Sequence, residues 1–380
     1  MHCPHCGREA PDGRFCGSCG APLTGTVPRD PRRRRAYAAN PHEHVYHPGV
    51  VTTFFPHLNL QRTHLMRWIL LGGAFIIFLL GLARYVPIAF IAAALFVPIL
   101  YLFYFYDAEI YEGEPLRVLA STFLIGAILG ALLNLGMYRT LLSLAYTLPG
   151  EAPSQTFLLV SGVIMPVAAL ALSLVGPLIL FFARPRFNEV LDGLAFGVAS
   201  GLGFAAAQSI VLAWQLITGP LQEPGGDAAS WALPTIKTAI LLPLLYAAAA
   251  GLICAVLWLR RDPLPTRGSL GWLASLPVAV VLAIVAVIVP ALGTTLWGNQ
   301  LTTLLWYGAT LVVMILIVRH VLHVGLVEKA HELGHGSTLT CPHCHHPAPD
   351  VPFCPTCGMA LRSTAKRARR SALVQEGRGE

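Results

Sequence analysis

The chain has 380 residues, of which 55% are hydrophobic and only 12% are charged, and its formal net charge is +7. A water-soluble domain with this composition would have to expose a largely apolar surface. The composition therefore excludes a soluble globular protein and indicates a membrane protein.

Apolar runs of the length needed to cross a bilayer as a helix, about 20 residues, recur along the chain. Helices are predicted because lipid offers no partner to free backbone groups and the runs lack the alternation of a barrel strand. The sequence predicts an all-α polytopic membrane protein with about eight transmembrane helices, the first two joined by a short turn at Arg84. The predicted spans are residues 68–83, 85–106, 118–138, 157–183, 190–217, 235–259, 270–297 and 303–325.

Basic residues indicate the orientation of these spans. Arginines at 184 and 186, and again at 260, 261 and 267, fall in alternate loops, so the positive-inside rule predicts that both termini are cytoplasmic. The basic clusters at 32–35 and 366–370 are predicted to contact anionic lipid. Nucleic acid is not a predicted partner, because no aromatic residues interleave with these clusters.

The two ends of the chain carry the same motif. Residues 3–23 and 341–361 each contain Cys-x2-Cys, nine further residues and a second Cys-x2-Cys. Two such turns can surround a metal with four thiolates and leave no open position, which predicts two structural zinc sites, with iron as the alternative metal. Disulfides are the other alternative, but a reducing cytoplasm disfavours them. The predicted ligands are Cys3, Cys6, Cys16 and Cys19 in the first site and Cys341, Cys344, Cys354 and Cys357 in the second.

These segments resemble the short zinc ribbons at the ends of many bacterial membrane proteins, and the resemblance implies cytoplasmic protein partners. The ninth cysteine, Cys254, lies alone in an apolar span and is predicted to be a buried, inert thiol.

The helix predicted at 190–217 is unusually rich in glycine. Gly193, Gly197 and Gly201 recur every four residues, which predicts a surface where a neighbouring helix comes close. Asp192 and Gln208 lie in the same helix, and polar side chains at membrane depth often mark functional sites. A hydrogen bond to a neighbouring helix is the alternative interpretation for Gln208.

Several motifs in this region resemble those of the PrsW family of intramembrane proteases. Glu114-Pro115 precedes a span that contains FLIGAILGA, and Asp192-Gly193 is followed by Phe196-Gly197 and by GLGFAAAQS at 201–209. The resemblance covers most of residues 85–260 and implies an intramembrane protease fold in a bacterial cytoplasmic membrane.

The same resemblance implies that the family's ionisable groups are replaced. The family's Glu-Asn pair corresponds to Gln208-Ser209, its Glu-Glu-x-x-Lys motif has no counterpart in 157–183, and Tyr246 lies near the place of its histidine. Glutamine cannot serve as a general base or bind a divalent metal as a carboxylate does. Asp192, Gln208 and Tyr246 are therefore interpreted as the wall of a degenerate catalytic site.

A second catalytic alternative follows the last span. His331, Glu332 and His335 form His-Glu-x-x-His, which resembles the zincin signature, with two histidines as zinc ligands and Glu332 as the base. A polar juxtamembrane helix is the preferred interpretation, because Gly334 and Gly336 weaken the helix that would have to hold both ligands.

The sequence thus predicts a PrsW-like pseudoprotease that serves as a membrane binding or regulatory module and recognises a transmembrane protein segment. An active intramembrane metalloprotease is the first alternative and a transporter the second. The predicted domains are a zinc ribbon at 1–23, a basic linker rich in His and Pro at 24–66, the PrsW-like transmembrane domain at 67–326, a juxtamembrane linker at 327–340, a zinc ribbon at 341–361 and a basic disordered tail at 362–380.

Overall fold

The computed structural model describes most of the apolar part of the chain and pieces of both ends. The described residues are 3, 9, 13–17, 23, 60–107, 116–145, 154–182, 190–218, 228–259, 271–297, 299–331, 339–341, 344, 346–349, 351, 353–358 and 361. The described part is mostly helical, as predicted.

The helices α1 to α12 follow one another along the chain, with two π-helical turns and one 3₁₀ turn between them. They are α1 (Leu60–Leu82), α2 (Val86–Asp107), α3 (Leu116–Ala145), α4 (Gln155–Leu159), a π turn (Val160–Ile164), α5 (Met165–Ser173), α6 (Val175–Phe182), α7 (Val190–Leu212), α8 (Trp214–Ile217), α9 (Ala228–Thr235), a π turn (Ile236–Leu241), α10 (Leu242–Trp258), a 3₁₀ turn (Gly271–Ala274), α11 (Leu276–Trp297) and α12 (Gln300–His331).

Six helical stretches within the described residues are long and apolar enough to cross a membrane. They are Arg117–Met137, Gln155–Phe182, Asp192–Leu212, Trp231–Trp258, Leu276–Leu296 and Gln300–Leu322. These confirm six of the predicted spans, and the protein is a multi-pass membrane protein. The apolar parts of α1 and α2, Trp68–Leu82 and Val86–Tyr101, are shorter, so the count of eight stays a prediction.

The turn between α1 and α2 has the geometry expected from its length. Arg84 has φ 63°, and its N–H donates to the carbonyl of Gly81 at 2.9 Å. The N–H of Tyr85 donates to the carbonyl of Leu80, also at 2.9 Å. This pair of bonds satisfies the last carbonyls of α1 and reverses the chain with a single residue in the left-handed conformation.

The centre of the membrane domain is α7, which packs between α10 and α3. A side chain added at Gly197 or Gly201 would put its Cβ 2.6 Å from the carbonyl oxygen of Ala250 or Tyr246 in α10. On the side of α3, Gly126 and Gly130 approach the backbone of α7 equally closely. Residues 192–206 are accordingly all buried. The predicted glycine packing surface is confirmed, and a second one on α3 accompanies it.

Buried hydroxyl and amide groups in the spans are satisfied mainly by their own helices. Asn134 donates to the carbonyl of Gly130 at 2.8 Å, and Thr122 and Ser173 donate to carbonyls three residues earlier at 2.7 Å. Local bonding of this kind is how small polar groups are accommodated where no water is present.

Near the C-terminus, two short strands, β1 (Leu339–Thr340) and β2 (Pro347–Ala348), pair antiparallel and precede the second Cys-x2-Cys turn. The N–H of Gly358 donates to the carbonyl of Cys354 at 2.7 Å, with Gly358 at φ 73°. The predicted linker to residue 59 and the tail at 362–380 lie outside the described residues, and the predicted domain boundaries stay predictions. The last helix, α12, continues five residues beyond the predicted boundary at 326, to His331.

The close approach of α7 and α10 makes a stability prediction. Gly197→Ala places a methyl group against the Ala250 carbonyl and should lower the free energy of unfolding by about 1–3 kcal/mol, which lowers Tm by about 5 °C. Thermal unfolding of the detergent-solubilised chain measures this. The matched control is Gly308→Ala in α12, where no atom lies within 4 Å of the added Cβ. Equal Tm values for the two variants would contradict the packing described here.

Candidate metal centre and membrane site

The four cysteines of the C-terminal repeat come together in one cluster. The Sγ atoms of Cys341, Cys344, Cys354 and Cys357 all lie within 4.8 Å of one another. The separations are 3.6 Å between Cys341 and Cys357 and 3.8 Å between Cys344 and Cys354. A tetrahedral zinc with Zn–S bonds of about 2.3 Å needs S–S separations of about 3.8 Å, so this donor set fits zinc.

The cluster also favours the metal-binding form of the thiol. Hydrogen bonds, first with Cys341 and then with Cys357, lower the pKa of the Cys354 thiol well below that of an ordinary cysteine. The thiolate is the form that binds a metal, so the arrangement is chemically suited to a closed structural zinc site.

The N-terminal repeat is described only in part. Cys3 and Cys16 are buried, whereas Cys6 and Cys19 lie outside the described residues. One four-cysteine site is therefore present, and the second zinc site stays a prediction.

Gln208 is the most unusual polar group of the membrane core. Its Oε1 atom is buried and has no hydrogen-bond partner in the described structure. The neighbouring Ser209 hydroxyl lies within hydrogen-bond distance of the Ala205 carbonyl (2.8 Å) and of the Thr238 carbonyl in the second π turn. Gln208 thus sits where α7 is tied to an irregular turn of the next span, and π turns are frequent at functional sites.

Tyr246 belongs to α10, where this helix packs against α7. It is buried, its ring centroid lies 6.0 Å from that of Phe204, and its carbonyl faces Gly201. Tyr307 of α12 is buried in the same cluster of apolar side chains as Tyr246. The sequence analysis did not single out Tyr307, although a hydroxyl in an apolar span is the signal that could have indicated it.

Asp192 is at the other end of α7. It is buried in the first turn, where Gly193 lies against the Cys254 carbonyl and the Trp258 ring. Sixteen residues separate it from Gln208, about 24 Å along a helix. Asp192, Gln208 and Tyr246 were interpreted as the wall of one site. In the structure Tyr246 lies between the other two, and the polar ends of Asp192 and Gln208 are not brought together.

The zincin-like motif is not tested by the structure. His331 is the last residue of α12, and Glu332 and His335 lie outside the described residues.

Comparison with known proteins decides the family. The sequence pattern described as PrsW family intramembrane metalloprotease matches residues 114–322, more than half of the chain. The chain belongs to the PrsW family. The match begins at Glu114 and extends past 260 to include α11 and nearly all of the apolar part of α12. No curated protein and no solved structure matches this PrsW-family chain.

The metal implied by a metalloprotease family can be tested against the residues of the membrane core. From Leu116 to Trp297, the helices carry only Asp192 and Cys254 as side chains of the His, Cys, Asp and Glu type. Among the described residues, the only group of three or more such side chains close enough to share a metal is the C-terminal cysteine cluster. The helices from Leu116 to Trp297 therefore offer fewer than the about three protein ligands of a catalytic metal site, whereas α12, most of which the family match also includes, carries His320.

The metal assignment makes a second prediction. Cys354→Ser removes one of four thiolates and should cost one zinc ion per chain, measured by elemental analysis of the purified protein. Cys254→Ser is the matched control, because it is the same exchange in the membrane core and should leave the zinc content unchanged. The double variant His331→Ala, His335→Ala should also retain all its zinc. A zinc content unaffected by Cys354→Ser would contradict the assignment.

Proposed function

We propose that this chain is a PrsW-family pseudoprotease that binds a transmembrane protein segment at the Gln208 end of α7 and does not hydrolyse it. The observation that carries the proposal is the buried, unpartnered Oε1 of Gln208. The family resemblance implies a carboxylate at this position, so the chain retains a polar group there with different chemistry.

Three features of this end of the domain argue against hydrolysis. The Gln208 side chain is an amide, which neither accepts a proton at neutral pH nor replaces a carboxylate ligand. Tyr246 is buried with its ring centroid 6.0 Å from that of Phe204, and a phenol stands near the place where the resemblance implies a histidine. The helices from Leu116 to Trp297 carry only two side chains of the metal-ligand type, Asp192 and Cys254, which is fewer than a metal that activates water needs.

Binding is favoured because an unpaired acceptor in the membrane interior is costly. The Gln208 carbonyl is buried without a donor, so a partner that donates a hydrogen bond to it recovers this cost. A membrane segment with a polar side chain is the partner that fits, since hydrogen bonds between helices contribute about 0.6–1.7 kcal/mol in a bilayer. Two spans contain π turns, Val160–Ile164 and Ile236–Leu241. Because π turns are frequent at functional sites, they also favour a binding site in this region.

The remaining assignments rest on sequence. The distribution of arginines supports cytoplasmic termini, an orientation in which Gln208 would lie in the half of the bilayer away from the cytoplasm, and the family resemblance supports a bacterial cytoplasmic membrane. The exact repeat of the cysteine spacing supports a second structural zinc ion held by Cys3, Cys6, Cys16 and Cys19. The ribbons would contact cytoplasmic proteins, and the basic clusters would contact anionic lipid.

Cleavage is tested with a fluorogenic single-span reporter in liposomes that contain the purified chain. The wild-type chain should give no cleavage above protein-free liposomes. Cleavage would overturn the pseudoprotease assignment, and Glu332→Gln would then locate the activity. Loss of cleavage in this variant would indicate the zincin-like motif, and its persistence would indicate the membrane core.

Binding is tested with two synthetic single-span peptides, a polyleucine helix and the same helix with one asparagine in its non-cytoplasmic third. The wild-type chain in nanodiscs should bind the asparagine peptide about three- to tenfold more tightly, because the side-chain amide donates to Gln208. Gln208→Leu should abolish the difference. Gln155→Leu is the matched control, since Gln155 is exposed at the start of α4. Equal affinities of the wild-type chain for both peptides would overturn the binding site.

A further inference from the structure

Residues from the two ends of the chain pair with each other. The N–H of Phe15 donates to the carbonyl of Pro355 at 3.0 Å, and the N–H of Phe353 donates to the carbonyl of Gly17 at 2.9 Å. These bonds join segments that are more than 300 residues apart in the sequence. The N-terminal and C-terminal cysteine repeats are therefore in direct backbone contact.

The contact has the symmetry of the sequence repeat. When the two repeats are aligned on their cysteines, Phe15 corresponds to Phe353 and Gly17 to Pro355. Exchanging the two repeats therefore converts each of the two hydrogen bonds into the other. This is the pattern of an isologous interface, in which the same surface of two similar units pairs around a twofold axis.

The side-chain contacts are likewise related by exchange of the two repeats. Gly17 lies against Val351, with 3.2 Å between an added Cβ and the Val351 Cβ, and Gly13, which corresponds to Val351, lies against Pro355. Gly358 lies against the ring of Phe15. Each repeat places small residues opposite bulky residues of the other, so the two surfaces are complementary.

The paired strands also contain metal ligands. Cys16 lies between Phe15 and Gly17, and Cys354 lies between Phe353 and Pro355. A metal bound to Cys354 fixes the backbone on both sides of it, including the N–H and the carbonyl that bond to the other repeat. A segment of about 20 residues has too little core to fold alone, so it depends on both its metal and its neighbour.

We propose that the two terminal repeats form one intramolecular clasp, in which each repeat is held in place by the other and the metal site of each is needed for the pairing. The clasp rests against the membrane domain, because Phe353 is fully buried and belongs to the same continuous cluster of buried side chains as the transmembrane core. The two cysteine repeats are thereby held at one face of the membrane domain. Loss of zinc releases them together.

Pairing within one chain is favoured over pairing between two copies. Both repeats are covalently joined to one membrane domain, and joining two binding partners in one chain gives effective concentrations of about millimolar. A second copy at ordinary membrane density competes poorly with such a connection. The partner is therefore the other repeat of the same chain.

Hydrogen–deuterium exchange of the full chain in nanodiscs tests the coupling. Cys354→Ser should raise amide exchange about tenfold in the N-terminal peptide that contains residues 13–17, although the substitution is at the other end of the chain. Cys16→Ser should do the same for residues 351–358. Cys254→Ser is the matched control and should change neither peptide. Increased exchange confined to the repeat that carries the substitution would overturn the mutual dependence.

Cross-linking separates the two possible partners. The double variant Gly17→Cys, Val351→Cys should form a disulfide within one chain, because the two Cβ atoms would lie 3.2 Å apart, slightly less than the separation of about 3.5–4.5 Å in disulfides. The product should migrate as a monomer, and each single variant should give none. A disulfide-linked dimer would show pairing between chains and overturn the intramolecular clasp. No cross-link at all would overturn the contact itself.

Discussion

The close packing of α7 against two neighbours is the constraint on which the membrane domain depends. Lipid tails are as apolar as leucine, so helices associate in a bilayer through tight van der Waals contact, and glycine permits the closest approach of two backbones. Gly197 and Gly201 bring α10 against α7, and Gly126 and Gly130 bring α3 against it. With both faces occupied, α7 is shielded from lipid along most of its length.

This burial determines how polar groups on α7 behave. Ser209 satisfies its hydroxyl on nearby carbonyls, whereas Ser200 Oγ and Gln208 Oε1 are buried and unpartnered in the described structure. Ser200 Oγ lies near Gly176 in a tight helix crossing, which gives it a packing role. Gln208 lies near the far end of the helix beside a π turn, where a ligand can supply the missing donor. The glycines that carry the family resemblance are thus required for packing, whatever chemistry the polar side chains of α7 support.

Among the described residues, the metal-ligand side chains that come together lie in the C-terminal repeat. Four thiolates at Cys341, Cys344, Cys354 and Cys357 form a closed donor set, while the core helices from Leu116 to Trp297 offer Asp192 and Cys254 alone. A closed site stabilises a small fold and leaves no position for a reacting water. The segment that carries this site contacts the membrane domain through Phe353 and contacts the N-terminal repeat through the hydrogen bonds with Phe15 and Gly17.

The sequence by itself determined the features set by neighbouring residues. Hydropathy predicted the six spans that the structure describes, the single-residue turn at Arg84 follows from the length of the connection, and the spacing of the four C-terminal cysteines predicted their cluster. Each depends on local geometry, which the residue types and their spacing define directly. The glycine repeat likewise predicted a close helix contact, although it did not name the helix.

Only the tertiary structure decided which distant residues meet. It paired Gly197 with Ala250, placed Asp192 and Gln208 at opposite ends of one helix, left the Gln208 carbonyl unpartnered and joined Phe15 to Pro355. Such contacts join residues that are far apart in the sequence. They depend on which helices are neighbours and on the angles at which the helices cross. Many arrangements of the same apolar helices satisfy the same hydropathy pattern, so no local sequence signal distinguishes among them.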